Sequence, residues 1–348
     1  MLRKFLISFS AFASFIYSNA QDSTSKGNLT ISGSLDAYYR YNFHNAKDSA
    51  HTNNYTSFTN SQNSFELGMA SIKGDYSIGK VDGVLDLGFG KRAEEFSYND
   101  SKTMAAIKQA YVSFAPSDKV KFTMGKWATH VGYELLDAYL NRNYSMDYMF
   151  SYGPFFHTGL KMDVTATKNI AFMVGVANPT DNTSASFAKK NFLGQVHLTS
   201  SSGKINGYVN YVGGKDMSDA TVNQFDAVVT ATVSSKFNVG YNGTVKSVKA
   251  DGKSDGDSWW GSALYLNYDP VSMFGLTLRG EYFDDEKGVA GFYNKIFDVT
   301  LSGNIRINNL TIIPEFRLDS GEEPMFYKNS GELVKSTGTF LLAATYHF

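Results

Sequence analysis

Along most of this chain apolar and polar side chains alternate with a period of two. In residues 28–43, Leu29, Ile31, Leu35, Ala37, Tyr39, Tyr41 and Phe43 fall on one face of an extended strand. Asn28, Thr30, Ser32, Ser34, Asp36, Tyr38, Arg40 and Asn42 fall on the other. The pattern predicts about sixteen strands of about ten residues: 28–43, 64–77, 80–91, 106–115, 119–127, 156–165, 169–177, 190–199, 203–212, 223–233, 236–246, 259–268, 273–283, 295–305, 309–318 and 339–348. The second segment changes phase: Phe65, Leu67 and Met69 point one way, and Ile72, Tyr76 and Ile78 the other. That reads either as a β-bulge or as a misplaced strand.

The links between these segments alternate in length. Short ones such as 77–79, 116–118, 166–168 and 234–235 separate long ones at 44–63, 92–105, 128–155, 178–189, 213–222, 247–258, 284–294 and 319–338. Strands of about ten tilted residues cross a bilayer, and bacterial barrels place short turns on the periplasmic side and long loops outside. A soluble sandwich has no reason to sort its links by parity. Hydrocarbon offers backbone groups no partner, so the sheet must close on itself. The expected fold is all-β: a transmembrane antiparallel β-barrel of about 16 strands. Aromatics near strand ends, among them Tyr41, Phe43, Trp127, Trp259, Trp260, Tyr268, Tyr282 and Tyr346, are expected to form girdles at the membrane interfaces.

Composition narrows the chemistry. Aromatic residues make up 15% of the chain, which favours strands, and a net charge of −1 argues against nucleic acid as a partner. Cysteine is absent, which excludes thiolate metal sites, cysteine nucleophiles and disulfides. Residues 1–20 have the layout of a cleaved export signal: Arg3 and Lys4, the apolar run 5–17, then Ser18-Asn19-Ala20. Thirteen apolar residues reach only ~20 Å, too short to span ~30 Å of hydrocarbon. The mature chain 21–348 then keeps 32 − 2 = 30 basic groups against 33 acidic ones, or −3. It is expected in the outer membrane of a Gram-negative envelope, with outer-membrane lipid as its surroundings.

A cylinder of sixteen strands is wide enough to leave an aqueous channel. The inward parity carries charges of both signs: Asp36, Arg40, Asp86, Lys161, Asp163, Lys204, Asp226, Lys246, Arg279, Glu281, Asp298, Glu315 and Arg317. Any one of them also fits as a solvated wall residue; together they predict a polar lumen passing small hydrophilic solutes without strong ion preference.

The loop at 128–155 is too rich in aromatics and large aliphatics to face water. It is expected to fold back into the barrel, with a short helix over 133–140 packing Leu135, Leu136, Tyr139 and Leu140. Glu134, Asp137, Asn141, Arg142, Asn143 and Asp147 would then stand near the solute path, with Asp36, Arg40, Lys161, Arg279, Glu281, Glu315 and Arg317 on the wall.

The run Gly132-Tyr133-Glu134, Asp137, Asn141, Asn143-Tyr144-Ser145, Gly153-Pro154 and His157-Thr158-Gly159 follows Gln109-Ala110-Tyr111-Val112 and Gly125-Lys126. In these residues the chain resembles the OmpL-like outer-membrane β-barrel porins. The resemblance implies a pore-forming protein for small hydrophilic solutes, and carries over no solute-binding residues.

Two other classes compete. A barrel hydrolase would need a Ser and His pair on the outer face near the mouth. His44, His51 and His130 lie in or beside loops, while His157, His197 and His347 share the inward parity. No H-E-x-x-H or G-x-S-x-G motif occurs. Asp284, Asp285, Glu286, Glu322 and Glu323 read as solvated loop charge. The chain is therefore expected to be no enzyme and to hold no metal or cofactor. A non-conducting barrel whose loops serve adhesion or anchoring is the second rival. A homo-oligomer is compatible with the sequence but not required by it.

Overall fold

The computed structural model describes residues 27–46 and 51–348; the export segment read at 1–20 lies outside them. The sixteen long strands are β1 (Asn28–Asn42), β2 (Ser64–Ile78), β3 (Val81–Phe89), β4 (Ile107–Ser117), β5 (Val120–Ala128), β6 (Phe156–Thr167), β7 (Ile170–Ala177), β8 (Asn191–Thr199), β9 (Ile205–Lys215), β10 (Thr221–Thr232), β11 (Phe237–Lys249), β12 (Asp257–Val271), β13 (Phe274–Asp285), β14 (Asn294–Ile307), β15 (Leu310–Gly321) and β18 (Ser336–His347). Two-residue strands β16 (Phe326–Tyr327) and β17 (Leu333–Val334) form a hairpin inside the last long loop. Each long strand pairs antiparallel with the next, and β18 closes on β1 with Ala344 opposite Ala37. The barrel has no free edge, as a lipid environment demands.

Side-chain parity sets what each face meets. Leu29, Ile31, Val112, Met124 and Leu278 stand exposed on the outside, whereas Thr277, Arg279 and Glu281 of β13 are fully buried inside. Short turns join the strands at one end. Asn308, at a φ of 54°, supplies the left-handed residue of the tight turn from β14 to β15, a conformation asparagine tolerates better than most.

The phase change in the second segment is a bulge. Asp36 faces Met69 and Ala37 faces Leu67, so Gly68 is the extra residue. Phe65 and Leu67 point outward before it, Ile72 and Tyr76 outward after it, and Met69 turns inward to full burial. A Cβ at Gly68 would collide with the Asp36 carboxylate and the Tyr144 hydroxyl, so the bulge also makes room for a loop contact.

Two of the expected girdle residues belong elsewhere. Trp127 and Trp259 face the interior and are 5% and 1% exposed. Adjacent strand positions cannot share a face, so Trp260 takes the outward place beside Tyr282 while Trp259 packs on Phe283.

Candidate functional site

The segment joining β5 to β6 enters the cylinder and crosses it twice. Outbound, the Gly132 amide donates to Asp226 on β10 and the Tyr133 amide to Asn242 on β11, each at 3.1 Å. Tyr133 stacks on Tyr265 of β12 with 4.1 Å between ring centroids. The far turn reaches the opposite wall: Lys108 on β4 donates to Asp137 at 2.6 Å, and Tyr139 stacks on His347 of β18.

The return is fixed by carboxylates that each take two consecutive backbone amides. Glu315 accepts from Tyr144 and Ser145 at 2.8 and 3.1 Å. Glu281 accepts from Tyr148 and Met149 at 2.8 and 2.9 Å. Asp181 accepts from Phe155 and Phe156 at 2.7 and 2.9 Å. Such charge-assisted pairs fix direction as well as position. The inner wall is hollowed to match: a Cβ at Gly240 would strike the Tyr133 ring, and one at Gly261 the Met149 side chain.

Between loop and wall lies a dry cluster of charges. Arg279 donates to Glu134 at 2.7 Å and to the Ser145 carbonyl at 2.8 Å, and pairs with Asp298 at 3.4 Å. Arg317 pairs with Asp298 and with Asp319, both at 2.7 Å, and donates to the Met146 carbonyl. Taking a charge out of water costs several kcal/mol, which only dense bonding offsets, so these charges depend on the loop lying where it does. Burial and the neighbouring Asp147 carboxylate push Glu134 up to about 8, opposed by Arg279. Burial pushes Asp181 up to about 6 against the amides it accepts.

Most of the residues singled out from sequence meet in this network. Asp36 accepts the Tyr144 hydroxyl at 2.5 Å, and Asn143 donates to Ser302 at 2.7 Å. Glu134 and Asp147 both accept from the Tyr265 hydroxyl. Asn141 clasps the backbone of Leu135, and Arg142 forms a two-pronged pair with Asp269. Arg40 serves a different loop, donating to the carbonyls of Thr52, Asn53 and Ser61. Lys161 stands apart on β6, paired with Asp163.

The helix expected over 133–140 is replaced by one 3-10 turn, Ala138–Leu140. Of the four side chains expected to pack, only Leu136 is buried; Leu135, Tyr139 and Leu140 are exposed. The wall contacts at both ends stretch this stretch across the lumen and leave too little slack for helical turns.

Sequence reasoning missed two partners of the loop. The first long loop also turns inward, burying Phe58, and the helical turn Lys91–Phe96 of the second buries Phe96 and Arg92. These phenylalanines pack with Phe150, Phe155 and Phe156. Arg92 donates to the carbonyls of Leu136 and Tyr144. The signal was present as large aromatics inside otherwise polar loops.

Beside the loop, a cavity of about 700 Å³ remains between it and β8 to β11, bounded by Tyr98, Tyr152, Phe155, Asn191, Gln224 and Lys246. Asn191 sits at the long-loop end of β8, so the cavity opens toward that side. An apolar collar of Trp127, Met173, Leu193 and Val212 on the wall, joined by Val131 of the loop, lies next to it. Burial holds His130, beside the collar, down to about 4, so its imidazole is neutral there.

Comparison with known proteins agrees with this architecture. A family model described as putative β-barrel porin-2, OmpL-like, matches residues 28–348. No curated protein sequence matches. Among solved structures, OmpTdeltaL8, a loop-deletion mutant of the Vibrio cholerae outer-membrane protein OmpT, superposes with a TM-score of 0.66 at 13% identity, covering 92% of this chain and 99% of that one. The outer-membrane channel DcaP of Acinetobacter baumannii gives 0.62 at 12% identity, covering 94% and 99%. A trimer form of in-vitro folded OmpT gives 0.61 at 13%, covering 93% and 100%. At these identities the likeness is one of fold.

Proposed function

This chain belongs to the OmpL-like family of putative β-barrel porins, and from that premise we propose that it is an outer-membrane porin whose third long loop sets the passage for small hydrophilic solutes. One observation carries the reading: the inward face of a closed sixteen-strand cylinder is polar and charged, and residues 128–155 are pinned across it. A polar interior supports water and hydrophilic solutes; a pinned loop limits their size.

The loop fills much of the cross-section. Inward side chains at mid-height are buried on opposite walls, Asp86 and Thr123 on one side and Thr300 and Glu315 on the other. Conductance is therefore expected to be small for a barrel of this strand number. The same packing favours the second reading, a sealed barrel whose loops do the work. Swelling of proteoliposomes in isotonic arabinose separates them: a porin swells them faster than protein-free vesicles, and rates equal to the blank would sink the reading.

Export through removal of residues 1–20 and association of copies belong to the same proposal. Mass spectrometry of the membrane-extracted protein is expected to start at Gln21. Light scattering in detergent is expected to give a multiple of the single-chain mass, in keeping with the trimer form described for OmpT.

A further inference from the structure

The carboxylates around the cavity beside the third loop are all committed to donors. Asp181 takes the Phe155 and Phe156 amides and the Tyr98 hydroxyl. Glu95 takes the Phe58 amide at 2.6 Å and the Asn60 side chain. Asp216 takes the amides of Ser218 and Ala220.

The cation in the cavity is not committed in this way. Lys246, on the inward face of β11, donates to the Tyr152 carbonyl at 3.0 Å and has no carboxylate at ion-pair distance among the described residues. An ammonium has three N–H donors, so two remain for a ligand. Arg92, Lys108, Lys161, Arg279 and Arg317 on the interior each face a carboxylate, and Arg40 is spent on three loop carbonyls. Across the same cavity stands Asn191, 3% exposed, whose Oδ1 has no hydrogen-bond partner. Leaving a buried acceptor bare costs ~1–3 kcal/mol, which a donor on a ligand would recover.

A free ammonium and a bare acceptor ask for opposite things of one solute: an anionic group and a hydrogen donor. The rings of Tyr152 and Phe155, which line the same space, can cover a short carbon skeleton. We propose that this cavity is a binding station for small carboxylates that also carry a hydroxyl or amino group, with Lys246 holding the carboxylate and Asn191 accepting from the donor. The cavity volume suits solutes of this size. The committed carboxylates nearby keep the station loose, and transport requires release as well as capture. This deepens the porin reading and rests on it.

Uptake of labelled glycerate and glycerol into proteoliposomes tests the station, because the two solutes differ by one carboxylate. Glycerate uptake by the wild type is expected to saturate, and glycerol uptake to stay linear. Lys246→Gln, which keeps a donor for the Tyr152 carbonyl, is expected to lower glycerate uptake about tenfold and leave glycerol within about twofold. Asn191→Asp, which sets a like charge against the carboxylate, is expected to act in the same direction. Glycerate uptake unchanged in both variants, or both solutes falling together, overturns the station while leaving the porin standing. Neither solute entering above protein-free vesicles, even with wild type, overturns the porin reading itself and the station with it.

Discussion

Single side chains in this barrel carry consequences in proportion to how dry they are. Arg279 is fully buried and is the cation shared by Glu134 and Asp298. Replacing it by Met leaves Glu134 without its cation and Asp298 with Arg317 alone, and breaking a buried pair from one side costs ~3–5 kcal/mol. A drop in the thermal unfolding midpoint of several degrees is expected; a midpoint unchanged from wild type would mean that water already reaches the cluster. Asp181 gives a pH signature. Its carboxyl is held at about 6 in the folded protein, above its ordinary 3.8, so the folded state binds that proton more tightly than the unfolded one. Its contribution to stability is therefore full below pH ~4 and falls as pH rises to ~6, by up to roughly 3 kcal/mol for a shift of this size. Asp181→Asn does not titrate. Comparing unfolding midpoints of wild type and variant at pH 4 and pH 7 should show the wild type losing ground to the variant as pH rises. A constant difference would refute the assignment.

Strands and loops were unequally readable in advance. The strands were legible because an apolar outer face and a polar inner one impose a two-residue rule on every wall position, and even the exception at Gly68 appeared as a phase change between Met69 and Ile72. The third loop announced itself by composition. Its path did not, because the path is written in contacts between residues far apart in the chain: Tyr144 with Glu315, Met149 with Glu281, Asp137 with Lys108. Parity could place Glu315 and Glu281 on the inner face, but could not say that backbone amides rather than solutes would occupy them. The aromatics Phe58 and Phe96, set in polar loops, were readable in principle and bury against the same loop. If those carboxylate-amide pairs are what hold the segment in the lumen, cutting two of them should loosen it without disturbing the barrel pairing. Glu281→Ala with Glu315→Ala is expected to raise single-channel conductance in planar bilayers several-fold over wild type, with noisy open levels. Conductance equal to wild type would show that the aromatic packing alone is sufficient.

Closure of the cylinder depends on none of these internal contacts. Every long strand is hydrogen-bonded to two neighbours around the ring, and the outward apolar face is one that lipid would satisfy, so the wall has its own source of stability. The charges at Arg279, Asp298, Arg317 and Glu315 are a burden only while the loop keeps water from them. Excising residues 133–147 would flood that side of the lumen and rehydrate all of them together. The single substitution Arg279→Met, by contrast, leaves the loop in place and the remaining carboxylates dry. The smaller change is therefore expected to harm stability more than the larger one. The excised protein should still fold as a barrel by heat-modified electrophoretic mobility, with a midpoint above that of the Arg279→Met variant and a conductance approaching that of an unobstructed cylinder of sixteen strands. If the excised protein proved the less stable of the two, the loop would have to be counted as part of what holds the wall together.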